Sequence, residues 1–162
     1  MKVIILKSNL KEALMSVEKA ISESGNLPIL KNVLFKTYNN RIKIAATNLN
    51  LAVTKITSGK IIEEGGITVP FSTFYSLVNN SDNERITIES ENNNLVFKTD
   101  NYSAKIQGIS HDEFPIIPKI ENENNFIELD AALFKEAVMK VLNAAQISEI
   151  RPEISGVLFD FQ

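Results

Sequence analysis

Apolar residues follow two rhythms along this chain, and the switches between them mark its elements. Residues 1–7 hold a short apolar run, Val3-Ile4-Ile5-Leu6 before Lys7, which predicts a buried strand. Leu10, Ala13, Leu14, Val17 and Ile21 then fall at helical spacing, with Lys11, Glu12, Ser16, Glu18 and Lys19 between them. That pattern predicts an amphipathic helix with Ser8 as its N-cap and Gly25 at its close. Pro28 forbids the helix from resuming. Segments 29–38 and 41–47 return to strand rhythm around Asn39-Asn40, a pair that tolerates left-handed backbone, so they read as a hairpin. A strand over 49–57 leads through Gly59 and Gly65-Gly66 into Ile67-Thr68-Val69, and Pro70 opens a short helix over 71–79. Strands at 85–89, 94–99 and 102–108 follow. The order is β-α-β-β-β-α-β-β-β, an α+β unit with two helices packed on a largely antiparallel sheet.

Residues 3–35 reappear without a gap at 127–159, an offset of 124. Identical pairs include Lys11/Lys135, Glu12/Glu136, Ala13/Ala137, Met15/Met139, Val17/Val141, Ala20/Ala144, Pro28/Pro152, Val33/Val157, Leu34/Leu158 and Phe35/Phe159. Solenoid and propeller units repeat every ~20–50 residues, so this longer offset predicts tandem copies of a whole domain. The second copy is expected to open near Phe126 with a strand, continue as a helix over 131–146, and enter another strand from Ile154. It stops at Gln162, about a third of the way through, which would leave strand edges unpaired, so the chain reads as an N-terminal fragment with its second domain truncated. The expected boundaries are 1–120 for the first domain, including a linker from about residue 110 that carries Pro115 and Pro118, and 126–162 for the start of the second.

A hydrophobic content of 44% suffices for a globular core. The first apolar run is too short for a signal peptide or a membrane span, so no membrane partner and a cytoplasmic location are expected. The absence of cysteine agrees with a reducing compartment. His111, the single histidine, sits beside Asp112 and Glu113 without further ligands at metal-site spacing, and reads as a solvated loop residue. Glu63 and Glu64 are adjacent before a glycine turn and point apart, whereas acid–base work needs converging groups. Gly65-Gly66 lacks the downstream Gly-Lys-Ser/Thr of a phosphate loop. Neither a catalytic site nor a cofactor or metal is expected. What recurs is the helix, with Lys11 in one copy, Lys135 in the other, and Lys19 and Lys140 nearby. Several such helices side by side would offer phosphates a lysine-studded surface, electrostatic and blind to sequence. The net charge of −3 does not exclude such a stripe on an otherwise acidic body.

Five segments in order carry a resemblance: Leu27-Pro28-Ile29-Leu30-Lys31-Asn32-Val33-Leu34, Ala46-Thr47-Asn48-Leu49, Thr68-Val69-Pro70, Glu113-Phe114-Pro115, and Arg151-Pro152 with Ile154 and Gly156-Val157-Leu158-Phe159. Together they resemble the bacterial DNA polymerase III beta subunits, the replicative sliding clamps. The resemblance implies a DNA-clamp-like fold, three similar domains per chain, and a homodimeric ring of six domains when full length, with helices inside and sheets outside. It also implies a processivity factor with no chemistry of its own. Its partners would be double-stranded DNA of any sequence, the replicative polymerase, the clamp loader and other proteins bearing clamp-binding motifs.

By position, the resemblance carries Lys11, Lys19, Lys135, Lys140 and Arg151 to the DNA side, along with Ser24, which stands where the family often has a basic residue. It carries Asn101, Ser103, Ala104 and Ile106 to the ring-closing edge, with Ile106 at an apolar contact position, and Ile154 to the rim of the partner-peptide cleft. Two rival readings are a scaffold of repeated domains that never meets nucleic acid, and a hydrolase using Glu63, Glu64 or His111.

Overall fold

The computed structural model describes residues 1–22, 27–118, 126–145 and 152–160. The chain divides into two compact units, Met1–Pro118 and Lys119–Gln162.

In the first unit β1 (Lys2–Leu6) runs straight into α1 (Lys7–Val17). No side chain caps this helix, and Ser8, the expected cap, lies inside its first turn. A backbone partner takes the cap's place: the Lys7 N–H donates to the Glu84 carbonyl at 2.8 Å. The Lys7 ammonium donates to the carbonyl oxygens of Asn79, at 3.3 Å, and Ser81. Leu10, Ala13, Leu14 and Val17 are completely buried, as their spacing predicts, and Ile21 packs against the same core. The helix tightens into a 3₁₀ turn at Glu18–Ala20. Gly25, its expected terminator, lies outside the described residues.

The remaining strands are β2 (Asn32–Tyr38), β3 (Arg41–Thr47), β4 (Ala52–Thr57), β5 (Lys60–Glu63), β6 (Gly66–Pro70), β7 (Arg85–Glu91), β8 (Asn94–Lys98) and β9 (Ser103–Gln107), with α2 (Phe71–Asn79) between β6 and β7. They form two antiparallel sheets rather than one, ordered β5-β1-β7-β8-β9 and β4-β3-β2-β6. Alternation identifies a strand but not its neighbour, so the division was invisible in the pattern. β5 escaped the sequence reading too, because Ile61-Ile62 between charged residues is too short to show a period.

Two expected strands begin later than their apolar residues suggest. Residues before β2 form a 3₁₀ turn, Pro28–Lys31. Before β4, Leu49 takes φ +75° in a turn where the Thr47 hydroxyl accepts its N–H at 3.0 Å. The Asn48 side-chain oxygen accepts the Asn50 and Leu51 N–H groups at 3.1 and 2.8 Å in the same turn. Asn39 and Asn40 adopt φ of 47° and 57°, the left-handed pair the hairpin requires.

The core gathers Phe35, Phe74 and Phe97, all fully buried, with Phe35 meeting Phe74 edge to face at 6.1 Å. Residues beyond β9 stay on this unit. Thr68 and Ile109 exchange two backbone hydrogen bonds of 3.0 and 2.9 Å, and Phe114 is buried with Leu34 and Ala45. His111 is therefore not the solvated residue expected: its side chain is only 24% exposed, because the ring rests over Gly66, where no side chain stands in its way.

The second unit holds α3 (Ala131–Leu142) and a 3₁₀ turn, Pro152–Ser155. The Asp130 carboxylate caps α3, accepting the Ala132 and Leu133 N–H groups at 2.9 Å each. The helix is shorter than expected, and the strands expected near Phe126 and from Ile154 are absent among the described residues. A strand exists only through a ladder partner, and residues 126–130 and 157–160 have none there. Phe134 stacks on Phe159 at 5.5 Å. Among the described residues no helix is long and apolar enough to cross a membrane.

Candidate nucleic-acid interface

The two helices of the first unit touch each other, and α1 also crosses β3 and β4. The outward side of α1 presents Ser8, Glu12, Met15 and Ser16, with Lys19 exposed in the turn that follows. α2 carries no charged residue, and its exposed Ser72, Thr73 and Ser76 offer hydroxyls. Lys11 is half-buried in a groove that also contains Asp82, Asn83 and Glu84, so two carboxylates oppose its field. Glu12 is paired in turn: the Lys55 ammonium on β4 lies 2.7 Å from its carboxylate. That hydrogen bond, helped by the charge of Lys55, holds the Glu12 carboxyl below the usual carboxylate range.

Sequence reasoning passed over Lys55. The signal was the alternation of β4, where Val53, Lys55 and Thr57 share the half-buried side and an apolar residue would be ordinary in the middle.

The second unit repeats this helix in register. α1 starts at Lys7 and α3 at Ala131, while the 3₁₀ turns start at Pro28 and Pro152, so both offsets equal the 124 of the sequence repeat. Phe134, Ala137, Val138 and Val141 therefore stand where Leu10, Ala13, Leu14 and Val17 form the core face of α1. Lys135 is exposed, and Lys140 bonds Glu136 at 2.7 Å one turn away. The duplicated glutamate thus meets a lysine in both units, from β4 in one and from its own helix in the other.

The other candidate positions fall as follows. Ser24 and Arg151 lie outside the described residues. Ile154 is 47% exposed within its turn. On β9, the edge strand of its sheet, Asn101 at the approach and Ser103 are exposed and Ala104 is half-buried. Ile106 is 6% exposed and belongs to the core, because the two-residue period turns it inward with Ala104. Its side chain is not on offer at that edge. On the same sheet Glu89, 11% exposed in its side chain, receives Lys98 at 2.6 Å and Lys2 at 2.9 Å.

Residues 1–118 match the family model of the DNA polymerase III beta subunit, N-terminal domain. The chain belongs to that family. The beta sliding clamp of Chlamydia pneumoniae is 26% identical over 159 residues, covering 98% of this chain and 43% of the relative. That of Bacillus subtilis is 25% identical over 166 residues, covering 97% and 44%. A solved DNA polymerase III beta subunit from Eubacterium rectale superposes with a TM-score of 0.86 at 28% identity, over 92% of this chain and 40% of the other. The sliding clamp of Caulobacter crescentus, 22% identical, shares the fold with a TM-score of 0.88 over 96% of this chain and 43% of its own. The chain spans less than half the length of these relatives.

Proposed function

We propose that this chain works as part of a DNA polymerase processivity factor, a ring-shaped sliding clamp that encircles duplex DNA without reading its sequence. The observation that carries the reading is the duplication, because a helix and a 3₁₀ turn recur at one offset of 124. Repetition of a unit that presents its helix to one side is the way to line a channel with helices. Encirclement holds a polymerase on its template by topology, so individual phosphate contacts stay weak enough to slide.

On this reading Lys11, Lys19, Ser24, Lys135, Lys140 and Arg151 face DNA. The β9 edge, with Asn101, Ser103 and Ala104, closes a homodimeric ring, and Ile154 borders the cleft that receives peptide motifs of the polymerase, the clamp loader and other partners. The protein acts in the cytoplasm and makes or breaks no bond. Its domains are residues 1–120 and the segment beginning at 126.

The test is topological. The full-length protein, loaded by its clamp loader, should stay on nicked circular duplex and run off once the circle is cut. Retention on linear DNA with open ends overturns the reading. Reversing Lys11 and Lys135 to Glu should abolish retention while the fold survives; unchanged retention would favour a scaffold that never meets nucleic acid.

A further inference from the structure

The duplicated glutamate is an odd residue to keep on a surface meant for phosphates. Glu12 and Glu136 are identical across the repeat, and each side chain is largely exposed, 68% and 61%. Exposed ion pairs contribute little to stability, so holding the fold together is a weak reason for either pair. The two lysines share only the glutamate they meet. Lys55 reaches Glu12 from a neighbouring strand at 2.7 Å, while Lys140 reaches Glu136 along the helix at 2.7 Å. Position 16, the repeat equivalent of 140, is Ser16, whose hydroxyl donates to the Glu12 carbonyl at 2.9 Å instead. The two units therefore reach one electrostatic result by different routes.

We propose that Lys55 and Lys140 are charge screens: each lies against the repeated glutamate and cancels its field, so that neither α1 nor α3 offers DNA a bare carboxylate of its own. The inference rests on the DNA-encircling reading and deepens it: Lys55, new to the site, acts through Glu12 rather than through contact with phosphate, and Lys140, already on the DNA side, acts there through Glu136. Lys55 also ties α1 to β4, which fixes where the cancelled charge sits.

The experiment uses the intact chain and a fluorescein-labelled duplex, with affinity read by anisotropy across a salt series. Lys55→Gln should weaken binding about threefold at low ionic strength, the effect of one unmasked unit charge near the phosphates, and the deficit should shrink as salt rises. Lys55→Arg should retain affinity. Removing both charges, Lys55→Gln with Glu12→Gln, should restore it. Lys43→Gln, on β3 and turned to the sheet face opposite the core residues Ile42 and Ile44, makes the same change in net charge away from the helix and should leave binding near its original level.

If the double variant binds as poorly as Lys55→Gln alone, Lys55 contacts phosphate itself and screening is wrong. Equal losses for Lys55→Gln and Lys43→Gln would reduce the effect to net charge and overturn it as well. If Lys11→Glu with Lys19→Glu abolishes binding while Lys55→Gln does nothing, the DNA reading stands and this inference falls. Binding that ignores both salt and that double reversal defeats the reading and the inference together.

Discussion

Phe35 and Phe159 occupy the same place in the two copies, and truncating each should have very different consequences. Phe35 is completely buried and meets Phe74 edge to face at 6.1 Å. Phe35→Ala removes a whole buried ring and leaves a cavity in a close-packed core, a loss of about 3–5 kcal/mol. The aromatic pair supplies about 1 kcal/mol of that. Domains of this size hold roughly 5–15 kcal/mol in reserve, so the variant should sit near the edge of folding. At about 4 °C per kcal/mol, its midpoint should drop by about 12–20 °C. Phe159 is 48% exposed and stacks on Phe134 at 5.5 Å. With half the ring already in water, Phe159→Ala should cost about 1 kcal/mol and leave the main transition within a few degrees. Urea and thermal unfolding followed by far-UV circular dichroism measure both. Equal costs would refute the reasoning, since Phe159 would then be buried in solution as deeply as Phe35. A loss below about 1 kcal/mol for Phe35→Ala would refute it from the other side.

The Glu89 carboxyl is held below the usual carboxylate range, by the Lys98 hydrogen bond first and the Lys2 bond second. Its stabilising effect is therefore present above the unfolded value of about 4.3 and lost as pH falls through the lower folded value. Glu89→Gln should cost about 1 kcal/mol at pH 7, a modest figure because both lysines are partly exposed, and progressively less as pH falls through the lowered folded value. A penalty that stays constant with pH, read by urea titration, excludes this origin. Gly108→Ala would place a Cβ 2.4 Å from the Thr68 carbonyl oxygen, at the junction where Thr68 and Ile109 bond. It should destabilise the first unit by about 2 kcal/mol, whereas Gly156→Ala, with nothing within 4 Å, should change the midpoint little. Equal effects of the two substitutions would show that the close approach at Gly108 is not a constraint.

Much of the first unit was legible because its signals are local. The stripe through Leu10, Ala13, Leu14 and Val17 names the buried side of α1 without reference to anything else. Asn39-Asn40 marks its hairpin because few residues accept two consecutive left-handed conformations. Pro70 marks the start of α2 in the same local way. The failures share a different cause. Ser8 did not cap α1 because Glu84, seventy-six residues away, supplies a carbonyl to Lys7. β5 became a strand because β1 was there to receive it, with Val3 opposite Ile61. His111 is sheltered because Gly66 lies beneath it. Each depends on a partner distant in sequence, and periodicity is silent about such partners. The candidate site divides along the same line: the repeat exposed Lys11 and Lys135, while Lys55 emerged only when β4 was seen beside α1.

That division bears on how a repeated domain acquires function. On the DNA-encircling reading, duplication copied a glutamate that phosphates would repel, and each copy disposes of the unwanted charge in its own setting. In the first unit a strand lies close enough to α1 for Lys55 to reach across. In the second, Lys140 stands one turn from Glu136, where the first copy has Ser16. A surface made for tight binding would gain from replacing the glutamate by a neutral residue or a cation. A surface made for sliding has the opposite need, since every added phosphate contact deepens the wells between which the ring must move. On the sliding-clamp reading, cancelling the acid without adding net positive charge would meet both demands while the whole chain keeps a net charge of −3.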